Sequence, residues 1–300
     1  MTDTSPLFAA VPRSEFARPG SGRGLLDVVR WRYLLRLLIR TGVTTRYRNS
    51  VLGWTWSYVR PAAQFLVFWV VLGLFLSLER GIPNYAVYLF SGIIVINLFS
   101  EAYKNATTSI VGNAPLVRKV YLPRQLFAIS AAAVAFVHFL PQLALLLIVC
   151  GFLGLFAQAS LLSVLAVLAA VAIILIFALG LGLLFGAINV RFRDAENVVE
   201  LLLLLATWAS PVLYFWTMVR DALTTLGLPS WLLEVYLLNP ITQAVELFHY
   251  AFWFPISDSA LEMPPALGIN TIWAFVISFA FLFLGQSVFR RLEGRFAQDL

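Results

Sequence analysis

From residue 125 to residue 190 the chain carries no Asp, Glu, Lys or Arg. A bilayer crossing takes roughly 20 apolar residues as helix, so this run is too long for one span and right for two. Gly151, Gly154 and Gln158 mark the turn between them. The rest of the sequence follows the same logic. Charge-poor runs at 61–78 and 82–100 are separated only by Glu79, Arg80 and Gly81, which leaves room for nothing but a helical hairpin. Further runs at 199–219, with its charge-free part from Leu201, and at 267–289 complete the set. The expectation is an all-α, polytopic membrane protein with six transmembrane helices at 61–78, 82–100, 125–152, 160–188, 199–219 and 267–289.

Composition agrees. The chain is 61% hydrophobic and 12% charged, against roughly a quarter charged in water-soluble domains. Its net charge of +6 does not mark a nucleic-acid binder, because the basic residues flank apolar runs instead of forming one face. Segments on the N-terminal side of the membrane hold 19 Lys+Arg and 9 Asp+Glu; the opposite side has Arg80 and Arg220 against six acids. The positive-inside rule therefore places both termini in the cytoplasm. Segment 231–254 is apolar enough to pass for a seventh span. It carries Glu234, Glu246 and His249, is broken at Asn239-Pro240, and as a span would export the basic C-terminus. Two short helices at the outer surface are expected there, within an extracytoplasmic segment 220–266.

Outside the spans, residues 1–24 form a Pro/Gly/Ser/Arg-rich tail that is expected to be disordered and is no cleavable signal peptide. In 25–48, Arg32, Arg36 and Arg40 repeat at i, i+4, i+8, while Val28, Trp31, Leu35 and Leu38 line another face. That pattern predicts an amphipathic helix in the headgroup plane, with 25–60 as the entry to the first span. The cytoplasmic loop 113–124 is basic and bracketed by Pro115 and Pro123. Pro115 can open a short helix and Pro123 close it, exposing Arg118, Lys119 and Tyr121 as a protein-docking knob. Residues 290–300 form a short cytoplasmic tail.

Chemistry is nearly absent from the spans. His138 is the ionisable exception, with Glu101 and Lys104 near the inner end of the second span. Ion-coupled transporters keep acids or bases at mid-membrane, so the energy is expected to come from elsewhere. His138, close to Pro141, is read as satisfying a carbonyl freed at a kink, a proton relay being the lesser alternative. The chain has no G-x-x-x-x-G-K-[ST] loop for ATP, no Ser-His-Asp order and no H-E-x-x-H; two His and one Cys cannot build a metal centre. Cys150 lies in an apolar run and has no partner for a disulfide. No cofactor or metal is expected on this chain. A membrane glycosyltransferase would need acids near a membrane face, for which Glu101 and Asp194 are the candidates; Asp194 is better read as capping a helix from Ala195. Most of the 25 Phe, 10 Tyr and 9 Trp are lipid-facing or interfacial. A subset facing a pore could stack on sugar rings.

The strings RYRNSVLGWTWSYVRP (46–61), NAPLVRKVYLPRQLF (113–127), VRFRDAENVVELLL (190–203), SPVLYFW (210–216), LNPITQAVELFHYAFW (238–253) and RRLEGRFAQDL (290–300) stand in this order in the chain. Together they resemble the permease family of polysaccharide ABC exporters, over roughly residues 25–300. The resemblance implies a permease that pairs with a second copy of itself and with two copies of a separate ATPase subunit, which would hold ATP and Mg. The substrate would be an undecaprenyl-linked galactan, O-antigen or teichoic acid, exported across the bacterial inner membrane. Coupling to the ATPase would fall to Asn113, Leu116, Arg118, Lys119, Tyr121, Pro123 and Arg124. The interfacial helix would carry Trp31, Arg32, Arg36 and Arg40, the extracytoplasmic gate would be 231–254, and the first and fifth spans would border the conduit. Conduit and gate candidates are Phe65, Phe68, Trp69, Trp208, Tyr214 and Trp216. The extracytoplasmic segment runs past the gate through Pro255 to Pro264-Pro265, an extension the simplest family picture lacks. Alternatives are a membrane glycosyltransferase using lipid-linked sugars, a flippase working alone, and a drug or lipid exporter of the same permease type.

Overall fold

The computed structural model describes residues 28, 30–46, 53–78, 81–119, 122–155, 160–257 and 262–300. The N-terminal tail 1–24, the turn residues Glu79 and Arg80, the turn marker Gln158 and the docking candidate Tyr121 lie outside them. Among the described residues every regular element is helical, as a chain without internal water must arrange its backbone.

Helix α1 (Arg32–Arg46) precedes the first long helix, α2 (Trp56–Phe68), which runs on as a π-helical segment, Trp69–Phe75. Next come α3 (Tyr85–Gly112), the short α4 (Ala114–Lys119), α5 (Gln125–Phe152) and α6 (Leu161–Arg191). Five helices are long and apolar enough to cross a membrane: Trp56–Phe75, α3, α5, α6 and the late helix α11 (Leu267–Glu293). These match the first four expected spans and the sixth. The turn after α5 is made where Gly154 takes φ +90, and Ser160 then caps α6 by accepting from Ser163 N at 3.2 Å.

The fifth expected span is not one helix. Helix α7 (Ala195–Trp208) has 14 residues, about 21 Å at 1.5 Å per residue, short of a hydrocarbon core of about 30 Å. The chain then unwinds through Ser210-Pro211 before α8 (Trp216–Thr225) begins. Proline removes the amide that would continue the helix, and span two supplies the missing donors. Tyr85 donates to Leu213 O at 3.0 Å; the Tyr88 hydroxyl lies 3.0 Å from Pro211 O and 2.8 Å from Tyr214 O. Gly92 of the same helix lets the unwound segment approach, since a Cβ there would sit 3.1 Å from Val212 Cα. Asp194 occupies the N-cap position of α7, but its side chain makes no capping bond. Instead Glu196, in the first turn, accepts from the buried Asn189 at 2.9 Å.

The region after α8 also departs from expectation. Helix α9 (Trp231–Leu238) is mostly half-buried, with Trp231, Glu234 and Val235 exposed, whereas every residue of α10 (Pro240–Phe248) is buried. The Asn239-Pro240 pair starts α10 as predicted, with Asn239 Oδ1 accepting from Ile241 N at 3.0 Å and Pro240 in the first turn. A π-helical segment, His249–Trp253, continues it. The pair therefore does not lie on the outer surface: α10 inserts among α3, α6 and α11. Its apolar face is strong enough to be drawn inside, and its two ionisable groups go with it. Glu246 and His249 are 1% and 0% exposed, 3.6 Å apart. The Tyr88 ring stacks on the imidazole at 3.8 Å, and His249 Nε2 donates to Tyr88 O at 3.2 Å.

Helix α3 is the central post, buried over most of its length, whereas the first and last long helices expose most of their apolar surface. Helices α6 and α11 cross closely at two glycines: a Cβ on Gly180 would meet Leu282 N at 2.6 Å, and one on Gly285 would meet Gly180 O. Small residues at such crossings let backbones touch, which is how helices associate in lipid.

Candidate functional site

Two places combine residues in ways that packing alone does not demand. The first is a cleft of about 650 Å³ between α2, α3 and α5, bordered on one side by Leu203 of α7, within the range of small-molecule sites. Its walls are polar faces at helical spacing. Helix α2 contributes Trp56, Arg60 and Gln64, and α3 contributes Asn97, Glu101 and Lys104. Helix α5 contributes His138 and Gln142, one turn apart. Glu101 Oε1 lies 2.8 Å from His138 Nδ1, joining α3 to α5. The His138 side chain therefore bonds a carboxylate instead of the backbone carbonyl at a kink that the sequence suggested. Gln142 donates from Nε2 to His138 O at 3.3 Å. At the rim, Lys104 Nζ pairs with Glu200 of α7 at 2.6 Å, and the Arg60 guanidinium sits 5.9 Å from the centre of the Trp56 ring. Helix α3 runs unbroken to Gly112, so Glu101 and Lys104 belong to a helix of 28 residues, not to a loop at its end.

The second place is a small core under α4. Val117 of α4 is buried in a cluster with Phe127 of α5, Val190 of α6, Phe289 of α11 and Phe296 of the last helix, α12 (Phe296–Asp299); Leu38 of α1 packs against it. Arg124 donates to the backbone oxygen of Glu293 and lies over the Phe296 ring at 5.6 Å. Around this one buried valine, Pro115, Leu116, Arg118 and Lys119 of α4 are exposed. The short helix is thus outward-facing and basic, yet its one buried side chain shares a core with α5, α6, α11 and α12, against which Leu38 of α1 packs.

The profile of one family, the ABC-2 type transporter, matches residues 33–253, more than half of the chain. The chain belongs to the ABC-2 type transporter family. With its five long apolar helices it is a multi-pass inner-membrane protein. Similar to this ABC-2 transporter chain are the O-antigen export system permease protein RfbA of Klebsiella pneumoniae, 26% identical over 89% of this chain and 95% of the relative, and RfbA of Myxococcus xanthus, 28% identical over 91% and 98%. The polysialic acid transport protein KpsM of Escherichia coli is 23% identical over 84% and 90%.

The residues that sequence reasoning picked for this ABC-2 transporter chain separate into distinct places. In the docking loop, Asn113 starts α4, its Nδ2 donating back to Ser109 O at 2.8 Å; Leu116, Arg118 and Lys119 are exposed, while Pro123 and Arg124 are half-buried at the entry to α5. On α1, Arg32, Arg36 and Arg40 form an exposed stripe. Trp31, just before it, is also exposed, and the helix leans on α5 where a Cβ at Gly42 would meet Val134. The six aromatic conduit candidates differ in their surroundings. Phe65, Phe68 and Trp69 are half-buried against the main core, with Phe65 edge-on to Phe90 at 5.6 Å. Trp208 is exposed, and Tyr214 donates to its backbone oxygen at 2.8 Å. Trp216 is buried, donating from Nε1 to Glu262 O at 3.0 Å, so it pins the segment that leads into α11. The cleft residues Trp56, Arg60, Gln64, Asn97 and Gln142 escaped notice. Their signal was present as polar residues recurring every three or four positions on otherwise apolar helices.

Proposed function

We propose that this chain is the permease subunit of an ATP-driven exporter that moves an undecaprenyl-linked polysaccharide out across the inner membrane. It works as a pair of identical chains on two copies of a separate ATPase subunit, which holds the ATP and Mg. The curated relatives are export permeases for O-antigen and a transport protein for polysialic acid, which supports a polysaccharide cargo of the galactan, O-antigen or teichoic-acid type. Helix α7 together with the unwound residues 209–215 makes the fifth of six crossings. An even number of crossings keeps both termini on one side, and the basic residues put that side in the cytoplasm.

The observation that carries the reading is α4. A helix whose exposed residues are basic and apolar, but whose one buried side chain joins a core shared with α5, α6, α11 and α12 and packed by Leu38 of α1, suits the transmission of a push. Force applied at Leu116, Arg118 and Lys119 by an ATPase changing shape reaches three spans and the interfacial helix through a packed core that does not compress. In this mechanism the partner's closure tilts α4 and α1 together and parts the two permease copies at their shared seam, while the inserted α9–α10 hairpin closes the outer end. Replacing both Arg118 and Lys119 with Glu tests it. ATP hydrolysis should continue while surface polymer is lost, and unchanged export would sink the proposed dock.

A further inference from the structure

We propose that the cleft between α2, α3 and α5 is a saccharide-binding subsite built within a single copy of the chain, where Trp56 supports the face of a sugar ring and Glu101, His138 and Gln142 read its hydroxyls. This rests on the exporter reading above and gives it a place where the polymer stops.

The fold does not need these polar groups. Helix α5 carries no Asp, Glu, Lys or Arg along its whole length, and each buried polar side chain turned toward the cleft costs desolvation that a leucine would not. Gln142 makes the point most sharply. The residue lines the cleft and is 7% exposed, its Nε2 is occupied by His138 O, and its buried Oε1 has no hydrogen-bond partner among the described residues. A buried acceptor held in this way suits a ligand that brings a donor.

The charges decide which ligand. A diphosphate calls for cations left uncompensated, preferably an arginine fork. Here Lys104 is matched by Glu200 and Glu101 faces His138, so Arg60, set over the Trp56 ring, offers one guanidinium and no cluster of cations. What remains is a mixture of amide, carboxylate, imidazole and hydroxyl groups beside an indole. That mixture suits a neutral ligand with hydroxyls that both donate and accept, and with an apolar ring face. A lipid-linked diphosphate would be repelled by the acids as much as attracted by the bases. The cleft thus recognises the sugar portion of the cargo, and it sets specificity through hydroxyl geometry: a site whose buried groups expect a hydroxyl rejects an analogue that lacks it.

The test uses the full chain in lipid nanodiscs and saturation-transfer NMR, with neutral tetrasaccharides of galactose, glucose and mannose, and sodium pyrophosphate, as probes. At least one tetrasaccharide should show transfer to its ring protons, pyrophosphate should not displace it, and Gln142→Leu or Trp56→Ala should weaken binding roughly tenfold. Trp56 sits at the exposed rim, so Trp56→Ala keeps the test open if Gln142→Leu does not fold. No binding of any tetrasaccharide, displacement by pyrophosphate, or binding indifferent to both substitutions overturns the subsite. Deleting the chain from cells separates the two ideas. Surface polymer lost on deletion, with no saccharide signal, removes the subsite and leaves the exporter; polymer unchanged on deletion removes the exporter reading itself.

Discussion

Gly180→Ala should be among the most damaging single-methyl additions in this protein. A Cβ at Gly180 would stand 2.6 Å from Leu282 N, 2.7 Å from Phe281 C and 2.8 Å from Leu282 Cα, all backbone atoms of the facing helix. None of them can rotate aside. Ordinary contact begins at 3.4 Å, so α6 and α11 must separate by about 0.6–0.8 Å, enough to forfeit a quarter to a half of each van der Waals contact along the crossing. Overpacking of this kind costs about 1–3 kcal/mol, and the rigid obstacle puts Gly180 near the upper end. At about 2–4 °C per kcal/mol for chains of this class, the expected fall in melting temperature is roughly 6–12 °C. Gly268→Ala is the internal control: it adds the same methyl to the facing helix α11, with nothing within 4 Å, and should leave melting unchanged or raise it slightly. Both are read by the intrinsic fluorescence of the nine tryptophans during a thermal ramp in detergent. If Gly180→Ala melts within about 2 °C of the parent, the close crossing of the two helices is refuted.

Three further outcomes follow from buried contacts. Phe296→Ala removes a ring that is 1% exposed and packed edge-on to Phe289 at 5.2 Å; a loss of about 3–5 kcal/mol at that site should free the C-terminus and speed tryptic cleavage at Arg290, Arg291 and Arg295. Tyr88→Phe leaves the carbonyls of Pro211 and Tyr214 without this donor and should cost about 1–3 kcal/mol, measured as a lower melting temperature that Tyr85→Phe deepens. His249→Leu strips Glu246 of its buried neighbour at 3.6 Å and should cost about 3–5 kcal/mol; Glu246→Leu combined with His249→Leu should recover most of it, and a double variant no better than the single one contradicts their pairing.

What the sequence revealed depended on the range of the interactions involved. The long spans were legible because apolar length is a local property: the charge-free run 125–190 became α5 and α6, with the turn at Gly154 where expected. The start of α10 was legible because the Asn-Pro cap is written in adjacent residues. The interruption after Trp208 was not, because its stability comes from tyrosine hydroxyls more than 120 residues earlier in the chain. The insertion of α10 was also hidden. Glu246 and His249 argued for the surface until Tyr88, far away in sequence, supplied the ring and the carbonyl that accompany them inside. For the cleft, His138, Glu101 and Lys104 stood out as ionisable groups. Their meeting with each other and with Gln142 depends on the register of α3 against α5, which no single-helix pattern contains.

The tyrosines that serve the unwound residues 209–215 also limit how the protein can move. Tyr85 and Tyr88 lie three residues apart on α3, so both phenols project toward the same side and reach residues 211–214 together. Turning α3 by a single residue about its axis would sweep that side through about 100° and withdraw both donors at once. The carbonyls of Pro211, Leu213 and Tyr214 would be stranded where water is scarce. Rotation of α3 is therefore geared to the unwound segment between α7 and α8: either the two turn together, or neither turns.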